Sequence, residues 1–493
     1  MSGAKAIDTD SDQAPQDDLR NQVRKAVIWR SGTQIFSQLI SWASTFLVIR
    51  ILAPADYGLF AMTSVVLVLL GLLNGYGLAN AVIRMDKVER HTLRQLLGML
   101  VLLNLVLAAI QIAAAPLVAA YYRQPIVADM LRVQALLYAT NPFLALGYAV
   151  LSRQMDFHLQ AKVNMISALV GALAALAGAF GGLGVWTLVL APIALFTARA
   201  VGMVWVARAW MWPSFNFKGA GDIASYGLTI MAGQIFWFLQ TQSDIAIAGR
   251  VLQPAELGLY TTALFLSQLF ITKVVPPLNE VAFSAYARIK DDSAAVASGF
   301  LKSVRVVGLL AVPFCLGLSA VAEPAVLVAL GPKYAGSAPF VQLISAASLI
   351  MTLHVLFGPA ANACGHPNMT TRSAMLGAVL MPLTYLVGIR HGAIGLAWGW
   401  IVAYPVLTVI SAMWIMPLLG LRWRQLGEAA LPPVLAGLAM VAGVVMLDRT
   451  VAFESQLLRL ICEVGLGGAI YGLWLLVFAK DRLSEVLGLA KRG

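Results

Sequence analysis

In a chain of 493 residues of which 60% are hydrophobic and only 12% are charged, too few polar side chains are present to cover a water-soluble surface, so the composition is that of a multispanning membrane protein. The net charge of +11 raises nucleic acid as a partner, but no basic stretch is interleaved with aromatics in a soluble segment, and membrane topology explains the surplus better. Cys315, Cys364 and Cys462 lie far apart without metal or redox spacing, so no disulfide framework, metal or cofactor is expected.

Residues 1–26 are polar and mostly acidic, lack the short apolar core of a signal peptide, and read as a flexible cytoplasmic tail. A helix needs roughly 20 apolar residues to cross a bilayer. Windows of that kind begin near residues 27, 57, 95, 128, 163, 184, 226, 257, 298, 338, 372, 393, 430 and 457. The expected fold is therefore an all-α integral membrane protein of about 14 transmembrane helices. Spans 1 to 6 form an N-lobe over residues 27–209, and spans 7 to 12 a C-lobe over 226–419. Between them, residues 210–225 carry the Trp, Phe and Pro-Gly punctuation of an interfacial linker. Residues 420–493 hold spans 13 and 14 and a cytoplasmic tail.

With the N-terminus inside, 24 of the 34 basic residues fall on the cytoplasmic side, among them Arg84, Lys87, Arg90 and Arg94. Eight fall outside, and Arg199 and Lys273 fall within spans. Both termini are expected in the cytoplasm.

The segment RILAPADYGLF, Arg50 to Phe60, returns as RVLQPAELGLY, Arg250 to Tyr260, and Gln34-Ile35-Phe36 returns as Gln234-Ile235-Phe236 at the same offset. This is the mark of an internal duplication. Each repeat holds an even number of spans, so the two are parallel, related by an axis along the membrane normal with a substrate site between them. Each copy sits at an external turn. Pro54 or Pro254 ends the preceding helix, Asp56 or Glu256 opens the next at its positive dipole end, and Arg50 or Arg250 lies at a helix C-terminus that favours a cation. Gly58 and Gly258 permit close helix approach. Anion binding by Arg50 and Arg250 is the functional alternative to this structural reading.

No phosphate-binding loop, Ser/His/Asp grouping, catalytic carboxylate pair or large external loop is present, so a transporter is expected rather than an enzyme. An ionisable group inside a span is costly and therefore a candidate for function. Lys273 falls near the middle of span 8, where its ammonium suits a pyrophosphate or an acidic sugar; the alternative is a structural pair with a buried carboxylate. Pro276 and Pro277, within one turn, mark a bend or hinge. Asp244 follows an unusually polar turn in span 7 and is a candidate partner for Lys273 or Arg250, or a ligand for a coupling cation. Arg199 is displaced toward the cytoplasmic end of span 6, and either snorkels to the headgroups or meets substrate. Arg30 stands at the cytoplasmic mouth of span 1 as a headgroup contact or a positive-inside anchor. Gln34 and Gln234 either face a cavity in both lobes or bond across helices. His354 reads as a satisfied buried imidazole rather than a proton relay.

The pattern R-x-L-x-P-x-D-Y-G-L-F, together with YYRQPIVADMLRVQALL at Tyr121 to Leu137, LSRQMDFHLQA at Leu151 to Ala161 and LGPKYAGSAPFVQLIS at Leu330 to Ser345, resembles the Wzx-type, WzxC-like exporters of the multidrug/oligosaccharidyl-lipid/polysaccharide (MOP) superfamily. The resemblance covers roughly spans 1 to 12. It implies two six-helix lobes that move a polyprenyl-pyrophosphate-linked oligosaccharide across a bacterial inner membrane by alternating access, for exopolysaccharide or lipopolysaccharide assembly. A polysaccharide polymerase or export complex, membrane lipids, and a proton or sodium as coupling ion are the implied partners. Its motifs belong to the scaffold, so no site residue is carried over. The rival readings are a cation-coupled multidrug exporter, which would place acids in its cavity, and a membrane enzyme of glycan assembly.

Overall fold

A bilayer offers no partner for a bare peptide group, so apolar segments must satisfy their backbone internally, and helices do so. The computed structural model describes residues 37–73, 78, 88–154, 156–217 and 221–478, with backbone only for 221–234. Arg30, Gln34, Arg84, Lys87 and both terminal tails lie outside the described residues, as does the side chain of Gln234. The described residues are predominantly helical, without strands among them. In chain order the helices are α1 (37–51), α2 (Pro54–Gly71), α3 (Arg90–Tyr122), α4 (Ile126–Gln134), α5 (Leu137–Arg153), α6 (Phe157–Phe180) and α7 (Val185–Val206). They continue as α8 (Gly221–Val251), α9 (Pro254–Ser267), α10 (Leu269–Lys273), α11 (Val275–Arg288), α12 (Ser293–Ala320) and α13 (Ala322–Ala329). The last six are α14 (Ala338–Val355), α15 (Phe357–Ala363), α16 (Pro367–Gly388), α17 (Gly392–Ile415), α18 (Trp423–Thr450) and α19 (Gln456–Phe478). Every expected onset after the first falls within one residue of a helix. Ten stretches among the described residues are long and apolar enough to cross a bilayer, and one of them, Pro367–Ile415, is a hairpin of two helices.

One expectation changes. Span 8 is not a single helix but three pieces, α9, α10 and α11, jointed at Gln268 and Val274. Pro276 and Pro277 start α11, where missing N–H groups cost least, and so the preceding helix stops at Lys273.

The chain divides into two compact units, one drawn from the described parts of 1–51, 70–118 and 128–231, the other from 52–69, 119–127 and 232–493. In the first unit, Leu96, Leu97, Leu100, Leu146 and Met203 join one buried cluster. Buried amides bind its helices: Gln111 donates to the Leu131 carbonyl at 2.8 Å and accepts from the Tyr138 hydroxyl at 2.9 Å. The linker is pinned to α3, Arg94 Nε donating to the Trp212 carbonyl at 3.0 Å and Gln95 to that of Asn216 at 2.8 Å. Its Trp210 and Trp212 are 65% and 84% exposed.

In the second unit the doubled motif meets itself. A Cβ placed on Gly58 would run into the carbonyl oxygen of Pro254, and one on Gly258 into that of Pro54. Such reciprocity puts both copies at the same end of the bundle, which a parallel repeat demands and an inverted one forbids. The glycine Cα–H groups face the opposing carbonyls, a weak contact that recurs at close helix crossings. Asp56 accepts from the Ala53 N–H at 3.0 Å, closing its own turn, whereas Glu256 accepts from the Ala393 N–H at 3.2 Å, at the start of α17. Arg250 donates to the Tyr121 carbonyl and lies over the Tyr121 ring at 5.5 Å, while Arg50 is exposed at the end of α1. The α18–α19 pair is fastened to α13 through Arg459, which reaches Glu323 at 3.1 Å, Asp448 at 2.7 Å and Glu463 at 2.9 Å.

Candidate functional site

Helical spacing in α6 places Phe157, Gln160, Asn164 and Ala168 on one face, and this face closes a cavity of about 460 Å³ in the first unit. Ser37, Gln38 and Ser41 of α1 line a second wall, Tyr148 of α5 a third, and Arg199 of α7 a fourth. The lining offers neutral hydroxyls and amides that both donate and accept, one guanidinium, and aromatic surface from Tyr148 and Phe157. It contains no carboxylate among the described residues. Arg199 sits two turns before the end of α7, half-buried, with its guanidinium 5.6 Å from the Phe196 ring centroid. Arg199 thus lines the cavity and lies against a ring.

The second unit carries a counterpart of about 230 Å³, lined by Trp237, Gln240 and Thr241 of α8, His354 of α14, Thr370 and Ser373 of α16, and Tyr404 of α17. Trp237 and Thr241 are displaced by 200 positions from Ser37 and Ser41, the offset of the duplicated motif. The duplication has therefore copied a cavity as well as a turn, and the linings have diverged. His354 keeps a buried Nδ1 without a hydrogen-bond partner, so the imidazole expected to be satisfied is only packed, edge-on to Tyr404 with centroids 6.4 Å apart.

Next to this cavity lies Asp244, 1% exposed. Neither expected cation pairs with it. Its carboxylate accepts from the Tyr260 hydroxyl at 3.0 Å and from the Ile245 N–H at 2.8 Å, and Tyr260 accepts in turn from Trp400 Nε1 at 2.9 Å. A chain of neutral donors holds the acid where an ion pair was anticipated. Lys273 ends α10 and is exposed at the joint before Pro276 and Pro277, also exposed, and no carboxylate among the described residues pairs with it. The structure thus brings Arg199 together with a polar cavity, and Asp244 with Tyr260 and Trp400.

The polysaccharide biosynthesis protein family matches residues 47–339, well over half of the chain. The chain belongs to this family. Among relatives of this polysaccharide biosynthesis protein, the succinoglycan biosynthesis transport protein of Rhizobium meliloti (strain 1021) is 24% identical over 95% of this chain and 96% of that one. The lipopolysaccharide biosynthesis protein WzxC of Escherichia coli (strain K12) is 22% identical over 83% and 84%. Among solved structures, the lipid II flippase MurJ in its inward closed conformation superposes with a TM-score of 0.74 at 12% identity, covering 92% of this chain and 100% of that one. The chain therefore has the fold of the MOP superfamily, and its named relatives point to transport.

Sequence reasoning about this family member missed the cavity walls. The signal was available: Gln160 and Asn164 interrupt an apolar span at i and i+4, and Ser37, Gln38 and Ser41 continue the polar face opened by Gln34. Trp400 carried none, because 140 residues separate it from Tyr260 and only folding brings the two together.

Proposed function

We propose that this polysaccharide biosynthesis protein is a flippase for a polyprenyl-pyrophosphate-linked oligosaccharide, working by alternating access of its two repeats in a bacterial inner membrane. The observation that carries the reading is the cavity of the first unit: neutral hydrogen-bonding groups suit sugar hydroxyls, the guanidinium suits an anion, and among the described residues the lining holds no carboxylate that would attract a cationic drug. In this reading Lys273, exposed at the break in span 8, meets the pyrophosphate of the carrier while the lipid tail stays in the bilayer. The protein delivers its cargo to a polysaccharide polymerase or export complex. Deleting the gene in its host should leave the lipid-linked oligosaccharide on the cytoplasmic leaflet. A deletion strain that still presents the sugar at the outer leaflet would defeat the proposal.

The proposal places both termini in the cytoplasm. In a cysteine-free parent carrying one new cysteine, an impermeant thiol reagent added to intact cells should label Lys333→Cys and spare Lys87→Cys. The reverse pattern would invert the topology.

Asp244 is assigned to the coupling ion, a proton or sodium. Asp244→Asn keeps an oxygen for the Tyr260 hydroxyl, so its stability should stay within about 1 kcal/mol of the parent while the titratable charge is lost. Transport by this variant should no longer respond to an imposed ion gradient. An unchanged gradient response would remove Asp244 from coupling.

A further inference from the structure

After α7 the chain leaves the helix and runs along the start of α3. Residues 209–217 are non-helical, held by the Ser214 N–H donating to the Arg94 carbonyl at 2.8 Å as well as by the bonds from Arg94 and Gln95 to the Trp212 and Asn216 carbonyls. Gly98 lets this segment lie close, since a Cβ there would meet the Ser214 carbonyl oxygen. Burial alternates along it: Ala207, Ala209 and Met211 pack into or against the core of the first unit, while Arg208, Trp210 and Trp212 are exposed. Phe215 and Phe217 follow, also exposed. Such a face suits neither bulk phase. Non-helical backbone needs hydrogen-bond partners that hydrocarbon lacks, and an arginine there is expensive. Four exposed aromatics in eight residues are equally foreign to a loop surrounded by water. The headgroup layer accommodates both. The flanking helices agree, because α7 ends and α3 begins here, and each is long and apolar enough to cross a bilayer.

We propose that this linker face binds the headgroups of anionic phospholipids at the bilayer surface where α3 begins. Charge selects the occupant. Arg208 shares the alternating face with Trp210 and Trp212, Arg94 is tied to the Trp212 carbonyl, and Arg90 lies one turn before Arg94; all three arginines are exposed. Across residues 88–94 and 207–217 a single carboxylate, Glu89, opposes them. A zwitterionic headgroup carries its own cation, so a face with a surplus of arginine favours the lipid that lacks one. The indoles add donors for phosphate and glycerol oxygens while their rings rest at the acyl boundary. Helix-end electrostatics alone would favour a cation at Arg208, just past the end of α7, but leaves two exposed indoles on the same face without a role. The bonds to α3 fix this face before any lipid arrives, so little ordering opposes binding.

The experiment places the full chain, carrying the photoreactive substitution Trp212→benzoylphenylalanine, in nanodiscs of equimolar phosphatidylglycerol and phosphatidylcholine, and mass spectrometry counts the two lipids in the crosslinked adducts. Phosphatidylglycerol should be captured in roughly fivefold or greater excess, the factor that one arginine near an anionic surface contributes. Adding Arg208→Gln should cut that excess roughly fivefold, whereas Arg208→Lys should keep most of it. The same probe at Leu173, exposed in the apolar span α6, should report the two lipids in their bulk ratio in every variant, which also shows that the Arg208→Gln protein is folded. Capture at the bulk ratio from position 212 would overturn the proposal, as would an excess that Arg208→Gln leaves unchanged, or crosslinks to protein in place of lipid. None of these readouts involves transport, so the flippase reading stands or falls separately.

Discussion

Lys273→Glu is expected to reduce polysaccharide export by a deletion strain at least ~100-fold at matched membrane abundance if Lys273 meets the carrier's pyrophosphate as proposed, because a like charge there would cost several kcal/mol. Lys273→Ala should lose less, and Lys273→Arg least, since it keeps the charge but changes its shape. The side chain is exposed, at the end of α10, and no carboxylate among the described residues pairs with it. Its replacement therefore leaves no orphaned internal partner, and a loss of export cannot be charged to a broken ion pair. Lys333→Ala serves as the control for a basic residue elsewhere. Export by Lys273→Glu at the parental level would show that the broken span does not meet the carrier.

Gly258→Leu is expected to be more damaging to the fold than any other single change considered. Its Cβ would enter the Pro54 carbonyl oxygen, an obstacle of backbone rather than of flexible side chain, and the same holds for Gly58 against Pro254. Overpacking of a yielding core costs roughly 1–3 kcal/mol. Here the crossing itself must separate, so a penalty of at least ~3 kcal/mol is expected, a large share of a typical 5–15 kcal/mol stability. The monodisperse fraction after detergent extraction and its thermal midpoint should both fall sharply. Gly427→Leu, where an added Cβ meets nothing within 4 Å, should leave both unchanged. A Gly258→Leu protein as stable as the parent would mean that the two copies of the motif do not cross as described.

The architecture was legible because its determinants are local or repeated. Apolar windows mark helices, and RILAPADYGLF with RVLQPAELGLY marks the duplication without reference to any third element. The break at Lys273 was half legible: Pro276 and Pro277 announced a bend, but the joint at Gln268 has no proline or glycine to betray it. The site was less legible because it depends on register between helices. Asp244 stood out as a buried acid, yet its partner Tyr260 was visible only as the end of the doubled motif, and Trp400, which donates to Tyr260 from 140 residues away, carried no signal. Glu256 likewise looked like a cap for its own helix and also caps α17, 137 residues away. Arg199 was recognised as an intramembrane cation, whereas the cavity that gives it a use required α1, α5 and α6 to be assembled around it.

Reconstitution tests the central claim most directly. Proteoliposomes are loaded with a polyprenyl-pyrophosphate-linked oligosaccharide whose sugar carries a fluorophore, and an impermeant quencher is added outside. With the protein present, the fluorescence of sugars on the inner leaflet should become accessible on the timescale of the assay, beyond the fraction quenched in protein-free liposomes. An accessible fraction that stays at the protein-free level, in vesicles where the same protein moves an organic cation, would contradict the flippase account and establish the drug-exporter reading in its place.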